Sequence, residues 1–266
     1  MNDRTAFSAW IPTSENADPI ASYHRDGFVV LRRLFDPSTI AAADRDAQRL
    51  LVERSDLMSE RNLRCRYRTD VSNGASVFET FDPVIDLAES IARIALAPTL
   101  LAFLERIYGE PAHLFKDKLI YKPPGIEGYP LHQDYIAWPG FPRSFLTVLV
   151  PFERADVENG CTVCWTGYHA TGALTPEDGT FRPLDPADFD ARRQVPLCLD
   201  PGDVAIFSGF TPHHSEPNRS ARWRRQLYLS YNAERDGGDR RAAHYAEFHA
   251  WMRERLGPRG DDVFFR

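Results

Sequence analysis

The chain has 266 residues, of which 43% are hydrophobic and 26% charged, the balance of a soluble globular protein with enough length to bury a sizeable core. A net charge of −6 gives no general attraction for nucleic acid or an anionic membrane, so a small molecule is the expected partner; the oligomeric state is not readable. Met1 to Asn16 are polar, and no apolar run approaches the ~20 residues of a membrane span, so a signal peptide is not read and a cytoplasmic location is expected.

Residues 19 to 55 read as helix, strand, helix. Ile20 to Arg25 lead into the apolar strand Gly27 to Leu31, and Asp36-Pro37 supplies an N-cap with proline at the first helical position. Ile40, Ala43, Ala47 and Leu50 then recur at helical spacing. Arg64, Arg66 and Arg68 alternate with Cys65 and Tyr67 as in a strand; a solvated charged face is the plain interpretation, and an anion-binding row is the sharper one. Between Pro83 and Tyr108 two helices are separated at Ala97-Pro98, with apolar stripes that belong to a core.

After Gly109-Glu110-Pro111 the character changes to strands punctuated by proline and glycine. The candidates are Leu114 to Lys122, Pro130 to Tyr135, Phe145 to Phe152, Cys161 to Trp165, Gln194 to Leu199, Asp203 to Ser208 and Arg224 to Asn232. With no long helix between them, they predict a mostly antiparallel sandwich or barrel with flanking α-helices. One domain is expected: residues 1–110 as mainly helical support, 111–233 as the β core, and 234–266 as a closing amphipathic helix and tail. Two irregular stretches interrupt the core, Ile136 to Ser144 and Ala170 to Arg193; loops of this length are usually functional lids or disordered. Cys161-Thr-Val-Cys164 has the spacing of a zinc or redox pair. Without a second pair to complete a zinc site, it reads as two buried strand thiols.

The chemistry concentrates in Leu131-His132-Gln133-Asp134. Side chains two apart on a strand share a face, so His132 and Asp134 can converge. A distant histidine from Pro212-His213-His214-Ser215 would complete two imidazoles and one carboxylate around a point. That set leaves about three of six positions open on a ferrous ion, room for a bidentate co-substrate and O2, and points to a non-haem iron(II) oxygenase using 2-oxoglutarate. Tyr121, on the strand before the pair, is a further co-substrate candidate. Lys116, Lys118 and Lys122 share one face of that strand and Asp117, Leu119 and Tyr121 the other, with neither face marked as internal. Ile136, Trp138 and Phe141 are the substrate-pocket candidates, with loop packing as the equal alternative.

The segments Tyr23-His24-Arg25-Asp26-Gly27-Phe28-Val29-Val30, Lys122-Pro123-Pro124-Gly125, Pro130-Leu131-His132-Gln133-Asp134, Glu158-Asn159-Gly160-Cys161, Pro201-Gly202-Asp203 and Tyr231-Asn232-Ala233 together resemble the phytanoyl-CoA dioxygenase family, including its ectoine hydroxylase branch. The resemblance covers most of the chain. It implies a double-stranded β-helix (jelly-roll, cupin-like) core, iron(II), and O2-dependent hydroxylation or other oxidation of a small metabolite, with 2-oxoglutarate converted to succinate and CO2. It also places the second imidazole ligand at His213, because the family writes His-Gly-Ser there and Arg224 follows eleven residues later. Arg224, assisted by Ser215, then grips the distal carboxylate of 2-oxoglutarate, a task suited to a bidentate, always-charged fork. Asp134 stands where related halogenases have a small residue, so hydroxylation is implied over halogenation. Thr166-Gly167-Tyr168-His169 departs from the family's Pro-Gly-Ser-His, and substrate identity does not carry over. Two other classes remain open: a cupin-like isomerase or hydrolase using another divalent metal, against which Arg224 argues, and a non-catalytic small-molecule-binding domain, against which the intact His132, Asp134 and His213 argue.

Overall fold

A computed structural model describes residues 18–134, 140–178 and 180–256. Helix α1 (Pro19–Asp26) opens on Asp18, whose side chain accepts from the Ile20 N–H, and closes on Gly27 at φ 83°. A Cβ at Gly27 would strike the His169 ring, so this turn needs glycine for its conformation and for its neighbour. Next come β1 (Phe28–Leu31), α2 (Pro37–Glu53), β2 (Cys65–Thr69), β3 (Ser76–Phe81), α3 (Glu89–Ala95) and α4 (Pro98–Tyr108). The remaining strands are β4 (Ala112–Ile120), β5 (Tyr129–His132), β6 (Leu146–Pro151), β7 (Thr162–Trp165), β8 (Gln194–Pro196), β9 (Val204–Ser208), β10 (His213–Ser215) and β11 (Gln226–Ala233), and α5 (Arg241–Leu256) follows them.

The strands form a seven-stranded sheet, ordered β1-β9-β6-β11-β4-β3-β2, and a four-stranded sheet, ordered β5-β10-β7-β8. Every strand pairing is antiparallel. Period-two alternation divides the core in two. Val148, Val150, Leu119, Tyr121 and Leu229 face the helices and pack with Ile40, Ala47, Ile91 and Leu104. Leu149, Ile120, Ala205, Phe207 and Tyr228 face the small sheet and pack with Cys164, Val195 and Leu197. This is the double-stranded β-helix expected from the sequence, and its two sheets enclose the site.

The first 110 residues do more than support the core, because β1 caps one edge of the large sheet and β2 with β3 the other. The arginine row is not one solvated face, because each member is engaged within the fold. Arg64 is buried in an ion pair with Asp86 at 2.7 Å, Arg66 lies 3.6 Å from Asp82, and Arg68 lies over the Tyr129 ring. Among the described residues no helix is long and apolar enough to cross a membrane.

Candidate metal centre and co-substrate pocket

His132 ends β5 and His213 opens β10, and the two are direct partners across that ladder. Their ring centroids are 4.3 Å apart. Each ring turns its Nδ1 onto a backbone carbonyl two residues earlier, Pro130 at 2.7 Å and Thr211 at 3.0 Å. Both Nε2 atoms are therefore left for one carboxylate: Asp134 Oδ1 lies 3.5 Å from His132 Nε2 and 3.7 Å from His213 Nε2. One ligand atom from each residue fits within 4.8 Å of the other two, the arrangement a single cation requires. Nδ1 hydrogen bonds of this kind fix which nitrogen of an imidazole can ligate.

Asp134 is oriented from behind by the Thr147 hydroxyl on β6, which donates to Oδ2 at 2.9 Å. Burial opposes ionisation of Asp134, yet His213, the His132 hydrogen bond and Lys118 together hold its carboxyl well below the usual carboxylate range. Burial, and then the proximity of His132, push His213 down to about 4, leaving a neutral imidazole able to bind a metal. Gln133, between the two ligands, points the other way. Its amide donates to the Gly172 and Phe210 carbonyls and accepts from the Leu174 N–H, tying two loops to the centre.

His214 faces away from the centre and accepts from the Trp165 indole at 3.1 Å. His169 is no ligand either; its Nε2 meets the His24 carbonyl. The 170–193 stretch lies over β5, where the Leu184 N–H reaches the Leu131 carbonyl at 2.7 Å and the half-exposed Phe181 ring sits 5.3 Å from that of His132.

Arg224 is fully buried, and all three of its guanidinium nitrogens lack a partner among the described residues. A buried cation with unmet donors is costly unless an anion completes it. Beside it, Lys122 is also fully buried and gives its Nζ to the Ser215 hydroxyl at 3.0 Å and to the Glu216 and Gly160 carbonyls. Burial first, and then the Arg224 charge, push the Lys122 ammonium down to about 6. Ser215 walls the cavity that holds His132, Asp134 and His213. Ser215 thus links the metal cavity to the buried Lys122, and the unmet guanidinium of Arg224 close to that lysine suits a carboxylate.

Tyr121 does not join this pocket. It lies on the helix-facing side of the large sheet, against Phe78 and Phe81, with its hydroxyl on the Ala47 carbonyl at 2.8 Å. The opposite face is internal to the site, and from it Lys118 and Ile120 line the cavity. Lys118 lies 5.2 Å from the Tyr228 ring centroid and makes no ion pair among the described residues. Phe141 packs with Phe115, Phe145 and His244 and does not line the cavity. Ile136 and Trp138 lie outside the described residues.

Two imidazoles and a carboxylate on a double-stranded β-helix, with a buried, unmet guanidinium in the same fold, define the non-haem iron(II) oxygenases that take 2-oxoglutarate as co-substrate. The chain belongs to the phytanoyl-CoA dioxygenase family, whose model matches residues 23–226. It is 38% identical over 141 residues to a methylphosphonate hydroxylase of Gimesia maris, a match covering 53% of each chain. It is 29% identical over 199 residues to a 2-aminoethylphosphonate dioxygenase of an uncultured bacterium, covering 74% of this chain and 73% of that one. The chain therefore spans about half the length of the first relative and about three quarters of the second. Among solved structures it resembles EctD from S. alaskensis with 2-oxoglutarate and 5-hydroxyectoine (TM-score 0.68, 21% identity, 88% of this chain and 82% of that). It also resembles the epimerase SnoN with Fe3+, α-ketoglutarate and nogalamycin RO (TM-score 0.66, 22% identity, 81% and 82%). These two likenesses concern the fold. Iron and 2-oxoglutarate are the cofactors of the family and of this site.

Proposed function

We propose that the protein hydroxylates a small metabolite bearing an anionic head group, a phosphonate foremost, with His132, Asp134 and His213 holding iron(II) and Arg224 with Ser215 gripping 2-oxoglutarate. The bound pair supplies O2 activation, releasing succinate and CO2 as a substrate C–H bond is oxidised. The chain's own part is to hold and orient. The Pro130 and Thr211 carbonyls set the two imidazoles, Thr147 sets the carboxylate, and the buried pocket at Arg224 and Lys122 excludes water from the co-substrate's far end.

The observation that carries the class is the convergence of three ligand atoms, in a fold that also buries a guanidinium with no partner among the described residues. The substrate class is supported by Lys118, which stands in the wall of the same cavity and makes no ion pair among the described residues, and by the relatives named for phosphonates. An ammonium there favours an anionic ligand over a neutral one.

The test is succinate release with iron(II) and 2-oxoglutarate across methylphosphonate, 2-aminoethylphosphonate, small carboxylates and neutral analogues. Coupled turnover is expected with the anionic compounds, and Lys118→Ala should raise their KM while leaving that of 2-oxoglutarate unchanged. Turnover of neutral analogues alone, or a Lys118→Ala effect confined to 2-oxoglutarate, would sink the assignment.

A further inference from the structure

The register of β7 against β8 pairs Trp165 with Gln194, Cys164 with Val195 and Val163 with Pro196. The Leu197 N–H then bonds the Thr162 carbonyl at 2.8 Å, carrying the ladder one place further. The strand pairing stops there, because the Cys198 N–H turns back to the Pro196 carbonyl at 3.0 Å and Leu199 bridges to Ala155, but just beyond the Thr162–Leu197 bond the Cys161 and Cys198 thiols lie within reach of each other. Residues flanking the end of an antiparallel ladder stand near the separation that a disulfide spans. Cys161 is buried and Cys198 is partly open to solvent. The oxygenase reading leaves this pair without a use.

We propose that Cys161 and Cys198 are a reversible dithiol–disulfide pair, with Cys198 the attacking thiol and Cys161 the resolving one, whose oxidant is a small disulfide such as oxidised glutathione. The Cys198 thiolate attacks one sulfur of the small disulfide, forming a mixed disulfide and releasing one small thiolate. Cys161, losing its proton to solvent, then attacks Cys198 Sγ and releases the second small thiol. Two electrons pass from the protein pair to the small disulfide, and both displaced groups leave as thiols.

The order of attack follows from the surroundings. The neighbouring Cys161 thiol and the Val157 backbone favour the Cys198 thiolate and lower the pKa of the Cys198 thiol against burial. Cys161 is pushed up by that same contact and by burial. The other two cysteines serve as internal controls. Cys164 is fully buried opposite Val195, and Cys65 donates to the Leu57 carbonyl from the helix side of the fold. The pair also borders the site, since the neighbouring Gly160 carbonyl accepts from Lys122 and Thr162 lines the metal cavity.

The experiment equilibrates the full-length enzyme, with iron(II) and 2-oxoglutarate bound and O2 excluded, in graded reduced and oxidised glutathione. The protein is then alkylated under denaturing conditions and its peptides are mapped by mass spectrometry. The expected result is a Cys161–Cys198 linked peptide that dithiothreitol reverses, with Cys65 and Cys164 still alkylated. In Cys161→Ser, a stable glutathione adduct on Cys198 should replace the link. A glutathione adduct on wild-type Cys198 with Cys161 still alkylated, or full alkylation of both thiols in the most oxidising buffer, would overturn the proposal.

Discussion

His132 and His213 face each other across the β5–β10 ladder, and each commits its Nδ1 to the carbonyl two residues before it, so both present Nε2 to the same oxygen of Asp134. The shared device predicts how the two neighbouring histidines differ. His213→Ala should weaken iron(II) binding by more than the roughly 10–100-fold that losing an outer-shell partner costs, and Thr147→Val, which removes such a partner of Asp134, should fall within that range. His214→Ala should leave affinity nearly unchanged, because its ring is engaged with Trp165. Anaerobic metal titration of the three variants decides; a metal site lost in His214→Ala and kept in His213→Ala would reverse the ligand assignment.

Arg224 gives a prediction of opposite signs in two states. Its guanidinium is buried without a partner among the described residues, so Arg224→Met should leave the co-substrate-free protein as stable as wild type or more so. With 2-oxoglutarate the wild-type melting temperature should rise and the variant's should not, because only the wild type binds the ligand. The KM for 2-oxoglutarate should rise roughly 10–150-fold, the equivalent of about 1.5–3 kcal/mol for a hydrogen bond to a charged group. Equal thermal shifts in both proteins would remove Arg224 from the co-substrate site.

His132 and Asp134 were legible because side chains two apart on an extended chain share a face, and the two do converge although β5 ends at His132 and Asp134 lies just beyond it. Arg224 was legible only through the family's interval from His213. What escaped depended on contacts between distant segments. β10 was not among the expected strands because three residues with adjacent histidines carry no periodicity; only pairing with β5 and β7 makes them a strand. The side of β4 that faces the site was undecidable locally, since alternation yields two equivalent faces until α2 covers one of them. Tyr121 was drawn to the wrong face for that reason, and Lys118 was left unassigned. Thr147 has no local signal, as its role exists only once β6 passes behind Asp134.

Lys122 predicts a pH dependence of stability. Its folded value of about 6 lies below the roughly 10.4 of an unfolded lysine, so between those values the unfolded chain binds more protons than the folded one. Stability contributed at this position therefore rises with pH across that window and is least at its acid end. Lys122→Met removes the titration. In urea denaturation at about pH 6.5 and about pH 9, the wild type should gain on the variant at the higher pH. Parallel changes in the two proteins would show that Lys122 is not held in the low-polarity pocket described.

Gly128 precedes β5 where the chain passes closest to β10. An added Cβ would fall on the Ser215 carbonyl oxygen and against the Glu216 carbonyl carbon, both backbone atoms that cannot swing aside. Gly128→Ala should therefore push β10 away and cost about 1–3 kcal/mol of stability, as overpacking does. Since β10 carries both His213 and Ser215, the displacement should also weaken iron(II) and 2-oxoglutarate binding together. Gly74→Ala is the matched control. It forces an alanine to φ 73° with open space around the Cβ, so it should cost about 1 kcal/mol through backbone conformation alone and leave both affinities unchanged. Chemical denaturation paired with metal and co-substrate titration separates the two effects. Should Gly128→Ala lose stability yet keep wild-type affinity for both ligands, β10 would not be the element that couples the fold to the metal centre.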